Sequence, residues 1–286
     1  MSQAKPRDGA TTRYKLIALD LDGTLNNDRK QIDPPTRRAL LAVQSVGVRL
    51  MLASARPLPG LYKDRDALEL CAHNGLLMAY NGGAIVSAAD GSLLHSAAMA
   101  MEDARRALRQ LEALPVTPIL DDGARFYVTD KSGYKVGYEC ANNRMDCVEV
   151  PNLAEALDFA PCKILMSTDP AGIKAVQAQI AALLPDRLSV VQTAPFYLEI
   201  IPAAIDKGEG LRRACAAIGI DPAEAVAFGD SENDIPMLRA AGLGVAMGNA
   251  DPEVRAAADC ITLSNNENGI AAALERLGLP CSDTAE

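Results

Sequence analysis

Residues 14–25 read YKLIALDLDGTL, an apolar run that ends abruptly in two aspartates. Asp20 and Asp22 are separated by one leucine and are followed at once by Gly-Thr. Two carboxylates this close disfavour each other's ionisation unless a cation or a partner group balances their charge. The stretch therefore predicts a buried strand whose end carries a charged site.

Apolar runs and helical patterns alternate through the first part of the chain. The strand at 14–20 is followed by a helix that begins after Asp33 and ends near Gly47, and by a second apolar strand at 48–54. A further strand pattern at 76–87 is interrupted by the turn sequence Asn81-Gly82-Gly83. This order predicts a Rossmann-like α/β fold, in which helices cover both faces of a parallel sheet.

The pattern changes in the middle of the chain and then returns. A hairpin with Asp122-Gly123 at its turn indicates antiparallel strands, as in an α+β insert. The strand pattern at 197–201 and the apolar strand at 225–230 resemble the first part again. The predicted domains are a core over 1–85 and 196–286, interrupted by an inserted α+β cap domain over 86–195.

Polar residues fall at the ends of the predicted parallel strands, where ligands bind in open α/β sheets. They are Asp20, Asp22, Ser54, Lys207 and Asp230. Carboxylates for a hard cation, a lysine for phosphate oxygens and a nucleophile are the groups that phosphoryl transfer with Mg²⁺ requires. The sequence therefore favours a site for phosphate chemistry.

Four segments resemble, in the right order, the motifs of the haloacid dehalogenase-like superfamily. Residues 20–25 (DLDGTL) resemble the first motif, Ser54 is similar to the second-motif hydroxyl, and Asp206-Lys207-Gly208 resembles the third. Residues 229–234 (GDSEND) resemble the fourth motif in the form typical of Cof-type phosphatases. The chain departs from the usual Thr-Gly-Arg of the second motif, where it has Ser54-Ala55-Arg56, and the consequence for rate is open.

The resemblance implies a Mg²⁺-dependent phosphatase that hydrolyses small phosphorylated metabolites, sugar phosphates foremost, through an aspartyl-phosphate. It implies that Asp20 is the nucleophile and that Asp22 is the general acid and base. The implied metal ligands are Asp20, Asp230 and Asp22, the last through its backbone carbonyl. The implied phosphate-binding residues are Leu21, Ser54, Ala55, Lys207 and Asn233. Lys207 is also an implied catalytic residue, because it holds the charge of Asp20 in place.

Two other functions use the same residues. A phosphotransferase or mutase would pass phosphate from the same aspartyl-phosphate to a sugar acceptor. A non-catalytic phosphometabolite-binding protein is disfavoured because binding alone does not need Asp22. Asp234 could favour the first turn of its helix, or it could orient Lys207 or a metal-bound water.

Composition limits the partners and the location. The 286 residues include 28 Lys and Arg against 37 Asp and Glu, a net charge of −9, which disfavours a nucleic-acid binder. The chain has neither a signal-like apolar segment nor a membrane-spanning run, which favours a cytoplasmic protein without membrane attachment. The seven cysteines are scattered without a CxxC pair, so neither a disulfide framework nor a zinc site is indicated. The oligomeric state and the exact substrate stay open.

Overall fold

The computed structural model describes residues 13–281. Within them the strands are β1 (Leu16–Leu19), β2 (Arg49–Ala53), β3 (Leu76–Ala79), β4 (Ala84–Ser87), β5 (Leu93–Ser96), β6 (Thr117–Asp121), β7 (Arg125–Val128), β8 (Asp146–Glu149), β9 (Ile164–Ser167), β10 (Leu188–Ala194), β11 (Tyr197–Pro202), β12 (Ala225–Gly229), β13 (Leu243–Ala246) and β14 (Cys260–Ile261). The α-helices are α1 (Pro34–Ser45), α2 (Tyr62–Ala67), α3 (Met101–Leu111), α4 (Val136–Asn143), α5 (Leu153–Ala156), α6 (Ile173–Leu183), α7 (Lys207–Ile218), α8 (Ile235–Ala240), α9 (Pro252–Ala257) and α10 (Gly269–Arg276).

The first sheet has the strand order β14-β13-β12-β1-β2-β3-β4-β5. The strands from β14 to β3 are parallel, whereas β4 and β5 are antiparallel to their neighbours. Along β1, Ile17 and Leu19 pack in the cluster that contains α1 and α10, and Leu16 and Ala18 pack with α7 and α8. Burial on both faces explains why β1 is a continuous apolar run. The predicted fold class is confirmed.

The second sheet has the order β10-β11-β9-β6-β7-β8. Its strands come between β5 and β12 in the sequence. One of its faces packs on α3, α5 and α6. We call residues 101–202, which contain this sheet, the insert, and the rest of the described chain the core. The chain passes between them at 97–100 and at 203–206.

These crossings differ from the predicted boundaries at 86 and 195. Strand β4 pairs with β3, and β5 pairs with β4, so residues 86–96 belong to the first sheet and not to the second. The prediction that residues 197–201 resume the core is wrong, because β11 pairs antiparallel with β9 and β10. The physical reason is a tight turn at Pro195-Phe196: Ala194 pairs with Tyr197, so the chain folds straight back as a hairpin.

Two further sequence-based expectations can be compared with the structure. Among residues 13–281, every helix is too short or too polar to cross a lipid bilayer. The seven cysteines are free thiols; Cys215 is buried and Cys71 is exposed.

Candidate functional site

Three neighbouring strands end at one crevice. In the order β12-β1-β2, Asp230, Asp20 and Ser54 each follow the last residue of a strand. Lys207 is the first residue of α7, and its Nζ reaches Asp20. The fold thus brings Asp20 together with Lys207, which is 187 residues away in sequence, and with Asp230, which is farther still.

Lys207 is the charged centre of the site. Its side chain is completely buried, and its Nζ lies 2.5 Å from Asp20 Oδ1 and 2.6 Å from Asp234 Oδ1. Burial alone lowers the pKa of Lys207, but the two carboxylates outweigh it and raise the pKa well above the ordinary value. Lys207 is therefore an ammonium ion at any physiological pH.

Asp20, Asp230 and Asp234 form a carboxylate cluster with an excess of negative charge. One oxygen of each lies within 4.8 Å of the others. Burial and repulsion from Asp234 raise the pKa of Asp20, and burial also raises the pKa of Asp230. One ammonium group cannot balance three carboxylates, and oxygen donors suit a hard cation, so the cluster fits Mg²⁺.

The cluster differs from the predicted ligand set in one member. Asp234 has both oxygens occupied, because Oδ1 accepts from Lys207 and Oδ2 accepts the N–H groups of Asp230 and Ser231 at 3.0 Å. The contacts display the first-turn reading and the orientation of Lys207 together: Oδ1 accepts from Lys207, and Oδ2 accepts the Ser231 N–H in a capping box at the first turn of the helix. Asp20 and Asp230 are left as the carboxylates available to a cation.

The Asp22 side chain pairs with two basic side chains, which are separate from Lys207. Arg56 Nη2 lies 2.6 Å from Asp22 Oδ2, and Lys30 Nζ lies 2.5 Å from Asp22 Oδ1. Burial raises the pKa of Asp22, but Arg56 and Lys30 outweigh this and hold the pKa below the ordinary value. The side chain is therefore a carboxylate in this arrangement.

The glycine of the first motif allows Asp230 to approach. Gly23 has φ of +88°, and a Cβ there would lie 2.4 Å from Asp230 Oδ2. The next residue, Thr24, donates its hydroxyl to Asp230 Oδ1 at 2.6 Å. The turn after β1 thus positions a carboxylate from β12 as well as its own.

The other predicted phosphate-binding residues lie around the same crevice. The Ser54 Oγ accepts the N–H of Arg56 at 3.2 Å, and Asn233 Nδ2 donates to Asn81 Oδ1 at 3.0 Å. Ala55 and Asn233 both line the cavity beside Asp20. The Leu21 side chain is completely buried in the core cluster, so it offers only its backbone to a ligand.

A cavity of about 280 Å³ separates the core from the insert. Asp20, Asp22 and Ser54 line it from the core. The insert contributes Tyr138, Glu139, Lys163, Leu165, Phe196, Tyr197 and Glu199. Sequence reasoning missed Lys163 and Glu199, whose only signal was a charged residue within or next to an apolar strand pattern. It also missed Lys30 and gave Arg56 no role.

Comparison with known proteins identifies the family of the chain. The family model for haloacid dehalogenase-like hydrolases matches residues 17–274. The chain belongs to the haloacid dehalogenase-like hydrolase family, as the motifs predicted.

Individual relatives match nearly the whole chain. YxeH of Bacillus subtilis (strain 168) is 32% identical over 274 residues, covering 93% of this chain and 99% of that protein. The phosphoglycolate phosphatase of Methanopyrus kandleri is 29% identical over 262 residues, which cover 92% of this chain and 96% of that protein. The crystal structure of a haloacid dehalogenase-like hydrolase from Bacteroides thetaiotaomicron has 33% identity and a TM-score of 0.87, covering 92% of this chain and 99% of that one.

Proposed function

We propose that this hydrolase is a Mg²⁺-dependent phosphatase that acts on small phosphorylated metabolites, with sugar phosphates as the expected class. The observation that carries the proposal is the buried Asp20 carboxylate, held by Lys207 at the edge of a cavity that Ser54 also lines. The naming of a relative as a phosphoglycolate phosphatase supports phosphate-ester chemistry. The polar lining and the volume of about 280 Å³ suit a small hydroxylated leaving group.

The first half of the reaction forms a bond from Asp20 to phosphorus. Lys207 holds Oδ1, so we expect Oδ2 to attack while the bond from phosphorus to the alcohol oxygen breaks. Ser54, the Ala55 N–H and Lys207 bind the phosphoryl oxygens, with Asn233 and the Leu21 backbone beside them. Asp22 gives a proton to the departing alcohol.

The second half hydrolyses the aspartyl-phosphate and restores the enzyme. Asp22 removes a proton from water, whose oxygen attacks phosphorus and releases Asp20 and inorganic phosphate. The carboxylate form that Arg56 and Lys30 favour suits this base step. To act as an acid in the first half, Asp22 has to take up a proton and weaken its contact with Arg56.

Asp20, Asp230 and the Asp22 carbonyl would hold the metal ion. Bound there, Mg²⁺ supplies positive charge that offsets the repulsion between phosphate and the carboxylates.

The decisive experiment replaces Asp20 with asparagine. We expect Asp20→Asn to lose at least a thousandfold in turnover of an aryl phosphate ester, on the order of the loss when a nucleophile is removed. Asp90→Asn, at an exposed turn, is the matched control and should behave as wild type. Wild-type activity should vanish with a chelator and return with Mg²⁺. An Asp20→Asn variant that keeps most of its turnover would remove Asp20 as the nucleophile.

The same assay separates hydrolysis from phosphoryl transfer. With an excess of a free sugar, a phosphatase releases one inorganic phosphate per alcohol formed. A phosphotransferase would release less phosphate than alcohol and would form a new sugar phosphate.

A further inference from the structure

Lys163 links the insert to the loop that carries Ser54. It lies directly before β9, is only 4% exposed, and donates from Nζ to Glu199 Oε1 at 2.7 Å and to the Ala55 carbonyl at 2.8 Å. In the adjoining strands Ile164 and Ile200 face the helices of the insert, so Lys163 and Glu199 occupy the opposite face, toward the cavity. Lys163 therefore contacts the core at the candidate site itself.

The peptide unit that contains the Ala55 carbonyl also contains the Arg56 N–H, which contacts Ser54. The peptide bond is planar, so fixing the Ala55 C=O also fixes the direction of the Arg56 N–H. That N–H donates to Ser54 Oγ at 3.2 Å. With Oγ accepting this bond, its own proton is left to donate to another acceptor.

The neighbouring peptide unit is held from within the core. The Ser54 carbonyl accepts the Asn81 N–H at 2.9 Å, which fixes the plane that contains the Ala55 N–H. Of these two planes, only the one between Ala55 and Arg56 is held by the insert. Lys163 is paired with Glu199 in a buried site, where an ammonium group makes a strong hydrogen bond to a carbonyl.

We propose that Lys163 is a positioning residue, which holds the Ser54–Arg56 loop in its phosphate-binding geometry through the Ala55 carbonyl. The phosphate site is then complete only while the insert lies against the core. This inference rests on the proposed function, because it takes Ser54 and the Ala55 N–H as phosphate ligands. The proposal gives a residue of the insert an effect on the binding of the phosphoryl group, through the loop, and no effect on the binding of the alcohol.

The test compares two variants that differ only at position 163. Glu199→Gln removes the ion pair but keeps Lys163 and its bond to Ala55. Glu199→Gln with Lys163→Met removes the donor as well and leaves no unpaired buried charge. Lys131→Met, an exposed lysine of the insert, is the control.

The main readout is the affinity for inorganic phosphate with Mg²⁺ present, measured by calorimetry. We expect the double variant to bind phosphate about tenfold more weakly than Glu199→Gln, while Lys131→Met matches wild type. Because Lys163 acts on the phosphoryl group, kcat/KM should fall by the same factor for an aryl phosphate and for an alkyl phosphate.

Three outcomes would overturn the proposal. Equal phosphate affinity in the two variants would mean that the contact with Ala55 is structural only. A loss confined to one ester, with phosphate affinity unchanged, would place Lys163 against the leaving group. If the double variant does not fold by circular dichroism, the comparison is made with Lys163→Leu in the Glu199→Gln background, which also lacks a donor, and equal affinity there would also overturn it. Wild-type protein that binds phosphate but does not hydrolyse esters would contradict the proposed function and leave this comparison intact.

Discussion

Two aspartates four residues apart have different surroundings and should have different roles. Asp234 is completely buried and its oxygens are taken by Lys207 and by two backbone N–H groups. Asp230 is bonded to hydroxyl groups, of Thr24 at 2.6 Å and Ser231 at 3.1 Å, which a cation can displace or share. We therefore propose that Asp230 is a ligand of the metal and that Asp234 holds the lysine.

Alanine variants of these two residues should have opposite effects. We expect Asp230→Ala to weaken Mg²⁺ binding by at least an order of magnitude, since a hard cation loses one of few protein ligands. Its stability without metal should hold or rise, because burial and Asp234 already disfavour the charge on Asp230. Asp234→Ala should lower the free energy of unfolding by about 3 kcal/mol, the cost of breaking a buried ion pair.

Mg²⁺ calorimetry and urea denaturation of both variants without metal check this pair of predictions. If Asp234→Ala gave the larger loss of Mg²⁺ affinity in folded protein, the cation would lie on Asp234 and the assignment would be wrong.

At the scale of elements, the turn after β1 depends on a glycine for two reasons. Gly23 has φ of +88°, and an added Cβ would lie 2.4 Å from Asp230 Oδ2. Gly47, which follows α1, has φ of +89° but no atom within 4 Å of an added Cβ. The two glycines share the backbone conformation and differ in the contact.

Comparing Gly23→Ala with Gly47→Ala therefore separates strain from contact. Each should lose about 1 kcal/mol of stability from the positive φ. Only Gly23→Ala should also weaken Mg²⁺ binding, severalfold or more, because the new methyl group displaces Asp230. Mg²⁺ titration and thermal unfolding of both variants measure the two effects. Equal metal affinity in the two would show that the turn tolerates the methyl group without moving Asp230.

What could be predicted from sequence follows from how local each signal is. Helix α7 has local signals at both ends, because Asp206 caps it through the Glu209 N–H and Gly219 ends it in the left-handed conformation. The partners of β11 could not be predicted, because an apolar strand has the same local pattern in either sheet. The contact of Lys163 with Ala55 joins residues 108 positions apart, and no local pattern in a single sequence indicates such a pair.

At the scale of the whole molecule, a buried hydrogen bond joins the core to the insert. The Tyr80 hydroxyl, between β3 and β4, donates to Asp121 Oδ1 at 2.5 Å, at the end of β6. Asp121 is 8% exposed and also accepts the Gly123 N–H at 3.1 Å. Burial raises the pKa of Asp121 above the ordinary value, although the Tyr80 hydroxyl and Lys163 act to lower it.

The raised pKa makes the stability of the molecule depend on pH through Asp121. A group whose pKa is higher in the folded state adds stability below its unfolded pKa, about 3.9 for aspartate, and this contribution is lost as pH rises through the folded value. Asp121→Asn keeps an acceptor for Tyr80 and removes the charge. The free energy of unfolding of the variant minus that of wild type should therefore rise between pH 4 and pH 7, by on the order of 1 kcal/mol.

The adjacent residue gives a control of opposite sign. Burial raises the pKa of Asp122, but hydrogen bonds from the Tyr127 hydroxyl and from the N–H groups of Arg125 and Ala124 outweigh it and hold the pKa below the ordinary value. Its stabilising contribution is present above the unfolded pKa and is lost as pH falls through the folded one. For Asp122→Asn the same difference should therefore stay nearly constant between pH 4 and pH 7 and should rise as the pH falls below about 4. Urea denaturation of both variants and wild type at several pH values supplies the two curves. Parallel curves would mean that the pKa of the Asp121 carboxyl group is not raised in the folded protein. The charge on Asp121 would then not oppose the packing of the insert against the core.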